Sequence, residues 1–328
     1  MRTLFIGSTR RGYLTLKAML EAAVPVTGIL SLSQEPHETE RFEEQFRQLA
    51  AEKDIPLRET RLLKNPDLAD WIRQETKAET AFAVGVRVLM PESLWAACPR
   101  GCWAAHDSLL PAYRGFAPLN WAIINGETET GVTLFKVDGG MDTGNILVQQ
   151  RVPIGPDETA PQVYEKLCTA TAAAVLEGFH LLQNAQARPR AQDHSLATHT
   201  CSRTPADSMI DWSQSTKAIH NLIRALTFPY PGAFTYLKNR RIFVLSATPV
   251  PDTPPFVGRI PGRVVQIAPS GAVDVLTGDG ILRIREVSVD GQHRQSPAGI
   301  IRSVRSRLGI DWVEMMATLT PPAPDLDS

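Results

Sequence analysis

Residues 101–144 hold the side chains whose types and spacing suit proton transfer at a carbonyl. The run Gly101-Cys-Trp-Ala-Ala-His106-Asp-Ser108-Leu-Leu-Pro111-Ala-Tyr-Arg114-Gly115-Phe-Ala-Pro118 is followed by Gly126-Glu-Thr-Glu-Thr-Gly131-Val-Thr133. Asp138-Gly-Gly-Met-Asp142-Thr-Gly144 comes next. Trp103 to Ala105 is short, apolar and preceded by Gly-Cys, so it reads as a buried strand delivering His106 at its carboxyl end. In open α/β sheets ligands sit at that end, near a switch in strand order. Histidine titrates near neutrality and can give or take a proton at a developing oxyanion. Asp142 lies in a glycine-bracketed turn ahead of Asn145-Ile-Leu-Val-Gln149, where its carboxylate could raise the histidine pKa or relay a proton from a nucleophile. Taken singly, such residues are more often a satisfied strand-end histidine and a turn aspartate. Ser108-Leu-Leu-Pro111 and Met141-Asp-Thr-Gly144 at this separation favour a site. Asp107 reads as a solvated loop carboxylate.

The elements that must position these residues alternate along the chain. Thr3–Gly7 reads as a first strand, followed by a helix carrying Leu14, Leu16 and Met19, and Val26–Ser31 reads as a second strand. Between Glu38 and Lys53, Phe42, Phe46 and Leu49 fall at i, i+4 and i+7, one stripe of a charged helix. Thr80–Val86 and Val132–Val137 add strands. A long helix over Val163–Leu182 turns Leu167, Val175 and Phe179 inward. Strands alternating with helices predict a Rossmann-like α/β domain with a mostly parallel sheet. Gly7-Ser-Thr-Arg-Arg-Gly12 lacks the G-x-G-x-x-G pattern, so it predicts no dinucleotide site.

Two domains are expected from 328 residues. The first spans 1–185, and 186–205, with little apolar periodicity, reads as a linker or surface crossing. In 206–318, Ile219, Leu222, Ile223 and Leu226 form a helical stripe. Short β-like runs follow at Ala233–Leu237, Ile242–Leu245, Gly262–Ile267, Val273–Leu276 and Ile281–Val287. Asp279-Gly280 marks a hairpin between the last two. So many short strands suggest a small β-barrel. The Pro-rich tail, 319–328, is expected to be disordered.

The strings around His106 and Asp142 resemble the signature of the 10-formyltetrahydrofolate-dependent formyltransferases. Pro118-Leu-Asn-Trp121, Gly126–Gly131 and Arg224-Ala-Leu-Thr-Phe-Pro-Tyr-Pro-Gly-Ala-Phe234 look closest to members that formylate 4-amino-4-deoxy-arabinose. Residues 206–310 resemble the carboxyl-terminal domain of methionyl-tRNA formyltransferases. The resemblance implies a formyltransferase fold followed by an OB-like barrel, with 10-formyltetrahydrofolate as co-substrate. It also implies attack of an amine on the formyl carbon. Asparagine and a protonated histidine would hold the tetrahedral oxyanion, and aspartate would manage protons. His106 and Asp142 match two of these positions; the asparagine position is Ala104, whose methyl donates nothing. The folate is expected beside Val84-Gly85-Val86-Arg87-Val88-Leu89, with Gly85 allowing close backbone approach, and near Asp138. Ser108, Arg114, Gly115 and Thr133 are expected to support the site or its substrate.

Loss of one oxyanion donor typically costs about 10²–10³ in rate. Three readings of Ala104 follow: a natural enzyme with another donor, such as His106 with a backbone amide or a water; a relative whose pocket serves other one-carbon chemistry or binding, active or not; or an introduced alanine.

Composition narrows the partners. Formal net charge is −1, which gives no global basic field for nucleic acid. Residues 201–328 hold 14 Lys/Arg against 11 Asp/Glu, and the first 200 hold 20 against 24. Lys238, Arg240 and Arg241 cluster, and Arg302, Arg305 and Arg307 are spaced like one helix face. A small-molecule amine, such as a nucleotide-linked amino sugar, is therefore favoured over tRNA as acceptor. The barrel would shape the acceptor side or mediate homo-oligomer formation. Cys98, Cys102, Cys168 and Cys201 complete neither a disulfide framework nor a zinc site, so no metal and a reducing cytoplasmic setting are expected. No signal peptide opens the sequence and no apolar run approaches about 18 residues, so no membrane association is expected. A formyltetrahydrofolate hydrolase, with water as nucleophile, and a non-catalytic folate or nucleotide binder are the alternative classes.

Overall fold

The computed structural model describes residues 1–33, 40–230, 232–238, 240–291, 293–311 and 316. They divide into two compact units, one comprising Met1–Ala122, Thr128–Pro156 and Gln162–Ser202, the other Ile123–Glu127, Asp157–Pro161 and the chain from Arg203 onward.

In the first unit β1 (Thr3–Gly7) leads through α1 (Arg10–Glu21) to β2 (Val26–Leu32), then through α2 (Glu43–Glu52) to β3 (Leu57–Thr60). The expected α2 stripe holds at Phe46 and Leu49, both buried; its residues 38 and 39 lie outside the described residues. A short helix α3 (Asp67–Trp71) runs into a π turn and returns the chain to β4 (Thr80–Val84). A single turn α4 (Glu92–Trp95) precedes β5 (Cys102–His106). After β6 (Arg114–Gly115) and α5 (Pro118–Ile124), β7 (Glu129–Lys136) and β8 (Ile146–Pro153) complete the main sheet. The long α6 (Ala160–Gln183) and the short β9 (His199–Thr200) follow.

Strand order is β3-β2-β1-β4-β5-β7-β8. The first five strands of that order pair in parallel, and β7 and β8 run antiparallel at one edge. Every residue of β1 and β4 is buried, as central parallel strands covered on both faces require. Alternation along β1 sends Leu4 and Ile6 into a core with Leu68, Trp71 and Ile72, whereas Phe5 stacks on Phe46 with centroids 6.2 Å apart. The chain builds outward from β1 to β3 and returns to β4 on the other side of β1. The switch point therefore falls between the carboxyl ends of β1 and β4, with β5 next in line.

The segment expected as a linker or crossing folds onto the first unit. Arg190 exchanges main-chain hydrogen bonds of 2.8 Å with Ile146, and β9 pairs in parallel with β6.

In the second unit α7 (Thr216–Leu226), capped by Ser215, packs on an antiparallel sheet. The strands are β10 (Ala233–Leu237), β11 (Arg240–Pro249), β12 (Val264–Ile267), β13 (Val273–Leu276) and β14 (Ile281–Ser288), in the order β10-β11-β14-β13-β12. The hairpin read at Asp279-Gly280 joins β13 to β14, where Asp274 and Arg283 form a two-bond fork at 2.7 Å. Leu308 bridges to Leu237 at one edge and Arg307 to Arg263 beside the other, which closes the sheet into a barrel. Residues 301–308 are turns and bridges, so Arg302, Arg305 and Arg307 do not share a helix face; their spacing misled because the chain there follows the sheet edges. The tail 319–328 lies outside the described residues.

One glycine on the switch-point loops has a local cause. Gly85 follows β4 with φ +72°, and a Cβ there would lie 2.2 Å from Thr9 Oγ1, the hydroxyl that caps α1 through Gly12 N–H. Gly85→Ala is expected to cost about 2–4 kcal/mol, combining left-handed strain with overpacking. A lowered urea midpoint at unchanged m-value checks this, and an unchanged midpoint excludes it.

Candidate active site

His106 ends β5 directly across from Thr133 of β7, with its side chain only 10 % exposed. The Nε2–H donates to the Tyr113 carbonyl at 2.8 Å, which leaves the lone pair of the neutral ring on Nδ1. Nδ1 faces Asp142 Oδ2 at 3.6 Å, and the same oxygen accepts the Gly115 N–H at 2.8 Å. Tyr113 (φ +60°) and Asp142 (φ +55°) both hold left-handed backbone conformations, uncommon for non-glycine residues and concentrated where a loop must present a specific atom. Gly115 (φ +104°) must be glycine, because a Cβ would meet the Thr200 carbonyl at 2.7 Å.

Burial pushes the His106 pKa down. The Asp142 carboxylate and the Tyr113 carbonyl act in the opposite direction, Arg11 adds to the lowering, and the balance stays below the ordinary 6.5. The resemblance implied a protonated imidazole; in this setting desolvation outweighs the carboxylate and favours the neutral ring. Asp107 is not the solvated loop carboxylate expected. Its side chain is 14 % exposed and ion-paired with the buried Arg11 of α1, because the end of β5 lies close to the start of that helix.

Thr133 and Ser108 set the loop after His106. Thr133 Oγ1 donates to the Ser108 carbonyl at 2.6 Å and accepts from Leu110 N–H at 3.0 Å and Gln149 Nε2 at 2.9 Å. Ser108 Oγ donates to the Ala112 carbonyl at 2.6 Å. Arg114 is buried. Its Nε and Nη2 donate to Gln192 Oε1 at 3.2 and 2.7 Å, and Nη2 lies 3.1 Å from His194 Nδ1. Asp138 is exposed and organises its own turn, accepting from Gly140 N–H and Thr143 Oγ1 at 3.0 and 2.6 Å. Val84 ends β4 and is buried; past it Gly85 and Val86 are half-buried, and Arg87, Val88 and Leu89 are exposed. Ala104 is half-buried against Leu110, Phe135 and Ile146, two residues before His106 on the same side of β5.

Tyr113, Gln192 and Arg11 join this constellation without a signal in the sequence pattern, since each reaches it from a distant segment or through its main chain. Among the described residues no group of three or more His, Cys, Asp or Glu side chains is placed to hold a metal. Cys98 and Cys102 are buried, and burial pushes the Cys98 thiol up to about 12.

The geometry gives the comparisons their meaning. Residues 1–178 match the Formyl transferase family model, and residues 203–305 match that of the Formyl transferase, C-terminal domain. This chain belongs to the formyltransferase family. A methionyl-tRNA formyltransferase of Desulforamulus reducens is 34 % identical over 304 residues, covering 92 % of this chain and 94 % of the relative. Among solved structures, an N-formyltransferase from Helicobacter canadensis, in complex with folinic acid and dTDP-3-aminofucose, superposes with a TM-score of 0.66. It has 19 % identity, over 86 % of this chain and 97 % of the other. HypX from Aquifex aeolicus, in complex with tetrahydrofolic acid, superposes at 0.61 with 19 % identity, over 93 % of this chain; the formyltransferase spans about half of HypX, 47 % of its length. At such identities the structural likenesses carry the fold.

Activity that needs the neutral imidazole falls as pH drops through a midpoint below 6.5, the ordinary histidine value. Because Asp142 raises that midpoint, Asp142→Asn is expected to move the acidic limb to lower pH and to reduce kcat by about 10²-fold or more. Rate–pH profiles from about pH 5 to 9, bracketing the histidine range, check this. Near-normal rates throughout would leave Asp142 as a turn residue.

Proposed function

We propose that this formyltransferase moves the formyl group of 10-formyltetrahydrofolate to the amine of a small molecule. The observation that carries the reading is the His106–Asp142 pair at the carboxyl end of β5, beside the loop after β4 at the switch of strand order. The folate is assigned to the Val84–Leu89 loop. That co-substrate is supported by family membership and by the folate compounds named for the HypX and Helicobacter canadensis complexes.

The amine nitrogen bonds to the formyl carbon, and the carbonyl electron pair moves to oxygen. Nδ1 of His106, its lone pair fixed by the Nε2–H bond to Tyr113, takes the proton released by the attacking nitrogen. Asp142 stabilises the imidazolium. Collapse of the intermediate breaks the bond between the formyl carbon and N10 of the folate. The proton passes from His106 to N10, giving a formamide and tetrahydrofolate. No side-chain donor at position 104 meets the oxyanion, so this chain works without the help an amide gives there.

For the acceptor, the near-zero net charge and the small excesses, three positive charges in 201–328 and four negative in 1–200, favour a small amine. An amino sugar fits, as the dTDP-3-aminofucose named for the Helicobacter canadensis complex illustrates. Methionyl-tRNA is a second reading. It is favoured by the 34 % identity to a methionyl-tRNA formyltransferase over both domains and by a cavity of about 620 Å³ on the barrel. Lys238, Arg240, Arg302, Ser303 and Ser306 line that cavity. Incubation with formylfolate and each acceptor class, read by mass spectrometry, separates the outcomes. A formamide on an amino sugar supports the proposal, a formylated methionyl-tRNA replaces it with the second reading, and free formate without acceptor identifies a hydrolase. With the true acceptor, Ala104→Asn is expected to raise the rate by about 10²-fold, the usual worth of one oxyanion donor, at unchanged folate affinity. A variant no faster than the parent argues for different one-carbon chemistry.

A further inference from the structure

We propose that the segment Gln192–Thr200 is a positioning strap that sets the His106–Asp142 distance, with Gln192 holding the aspartate and Thr198 the histidine. The inference rests on the catalytic reading of that pair. Gln192 is 6 % exposed and uses all its side-chain hydrogen-bonding capacity. Its Nε2 donates to the Asp142 and Gly144 carbonyls at 2.8 and 2.7 Å, on both sides of the left-handed turn. Its Oε1 receives the Arg114 guanidinium. Arg114, only 3 % exposed, fixes the orientation of the amide, since a guanidinium only donates and so forces the oxygen toward itself and the Nε2 hydrogens toward Asp142. The next residue, Gly115, donates its N–H to the Asp142 carboxylate. Asp142 is thus held at its main chain through Gln192 and at its side chain by β6.

The other partner hangs from the same strap. Thr198 Oγ1 accepts the Tyr113 N–H at 2.8 Å and the Thr198 carbonyl accepts the Arg114 N–H at 2.9 Å. This fixes the peptide segment whose Tyr113 carbonyl receives His106 Nε2–H. One run of the chain therefore orders both members of the pair, although the two come from different loops. A segment serving only to cover the core would place apolar side chains inward; here the buried side chain is a glutamine aimed at the turn that carries the carboxylate.

Gln192→Met keeps the bulk and removes the hydrogen bonds. It is expected to lower kcat by about 10²-fold, the usual effect of misplacing a reacting group by roughly an ångström, with KM for formylfolate within about threefold. Its acidic limb should move to lower pH, as in Asp142→Asn. Gln192→Glu keeps an acceptor for Arg114 but turns oxygen toward two carbonyls, so it should be no faster than the methionine variant. In a double-mutant cycle Gln192→Met should add almost nothing to Asp142→Asn. An additive loss, or a glutamate variant of parental rate, overturns the clamp. The His106 pKa followed by NMR titration should fall in Gln192→Met as the carboxylate drifts away, and this holds whether or not an acceptor is known. A fallen pKa in a protein without formyl transfer upholds the strap and sinks the catalytic reading, and an unmoved pKa sinks the strap. Should Gln192→Met fail to fold, the exposed Thr198→Val decides: parental rate and parental pH profile overturn the proposal.

Discussion

Desolvation of the His106 imidazole is the constraint to which the rest of the first unit answers. A ring sealed at a strand end is readily kept neutral, and it becomes a useful base only if the charge it acquires meets a counter-charge at once. Two opposite unit charges 3.6 Å apart attract by about 4–5 kcal/mol at an effective dielectric of ~20, and by about 3 kcal/mol at ~6 Å. A drift of a side-chain bond length or two would therefore remove much of the benefit. The carboxylate cannot sit closer without raising the histidine pKa further, and it cannot sit farther without losing the imidazolium. A buried histidine of this kind demands rigid backbone on both sides. The parallel strands β1, β4 and β5 supply one side, and the β7–β8 edge with the folded-back segment after α6 supplies the other.

The sheet and the histidine were legible because their signals are local. An apolar run ending in His106, two fully buried strands and helices with a single apolar stripe each follow from periods of two and 3.6 residues. The Asp279-Gly280 hairpin is equally local. The folded-back segment left no such trace. Residues 186–202 lack periodicity because their contacts run through single polar side chains and two-residue strands rather than an apolar face. Gln192 reaches Arg114 across 78 positions, a distance at which hydrogen bonding leaves no pattern in one sequence. Arg302, Arg305 and Arg307 show the converse, a helical spacing on a chain that follows sheet edges. Gly85 shows a third kind of gap: besides the close approach foreseen for the folate, the Thr9 cap stands where its Cβ would lie, which no local pattern announces.

Ala104 gains meaning from its neighbours. It packs against Leu110, Phe135 and Ile146 while standing on the same side of β5 as His106, so the strand keeps the direction an oxyanion donor would use. On the proposed mechanism, base, counter-charge and supporting loop without a side-chain donor at position 104 give a different balance of catalysis. Proton transfer retains its apparatus, whereas charge stabilisation on oxygen falls to groups that enter with the substrates or to main-chain amides. The Gly115 amide is already engaged by Asp142 and is not free for that role. An enzyme so arranged is best served by an amine that attacks readily, because a stronger nucleophile needs less help at the oxyanion.

The charge distribution bears on the same point from the acceptor side. A polyanion is gathered by many phosphate contacts, each of them a displaced counterion, and such binding needs a cationic surface of some extent. Here only Lys238, Arg240 and Arg302 of the barrel's positive side chains line one cavity, together with Leu237 and Ile300, while the first 200 residues carry more acidic than basic groups. Recognition on such a surface depends on shape and on a few directed hydrogen bonds rather than on a long-range field, and those are the terms on which a small charged metabolite is selected.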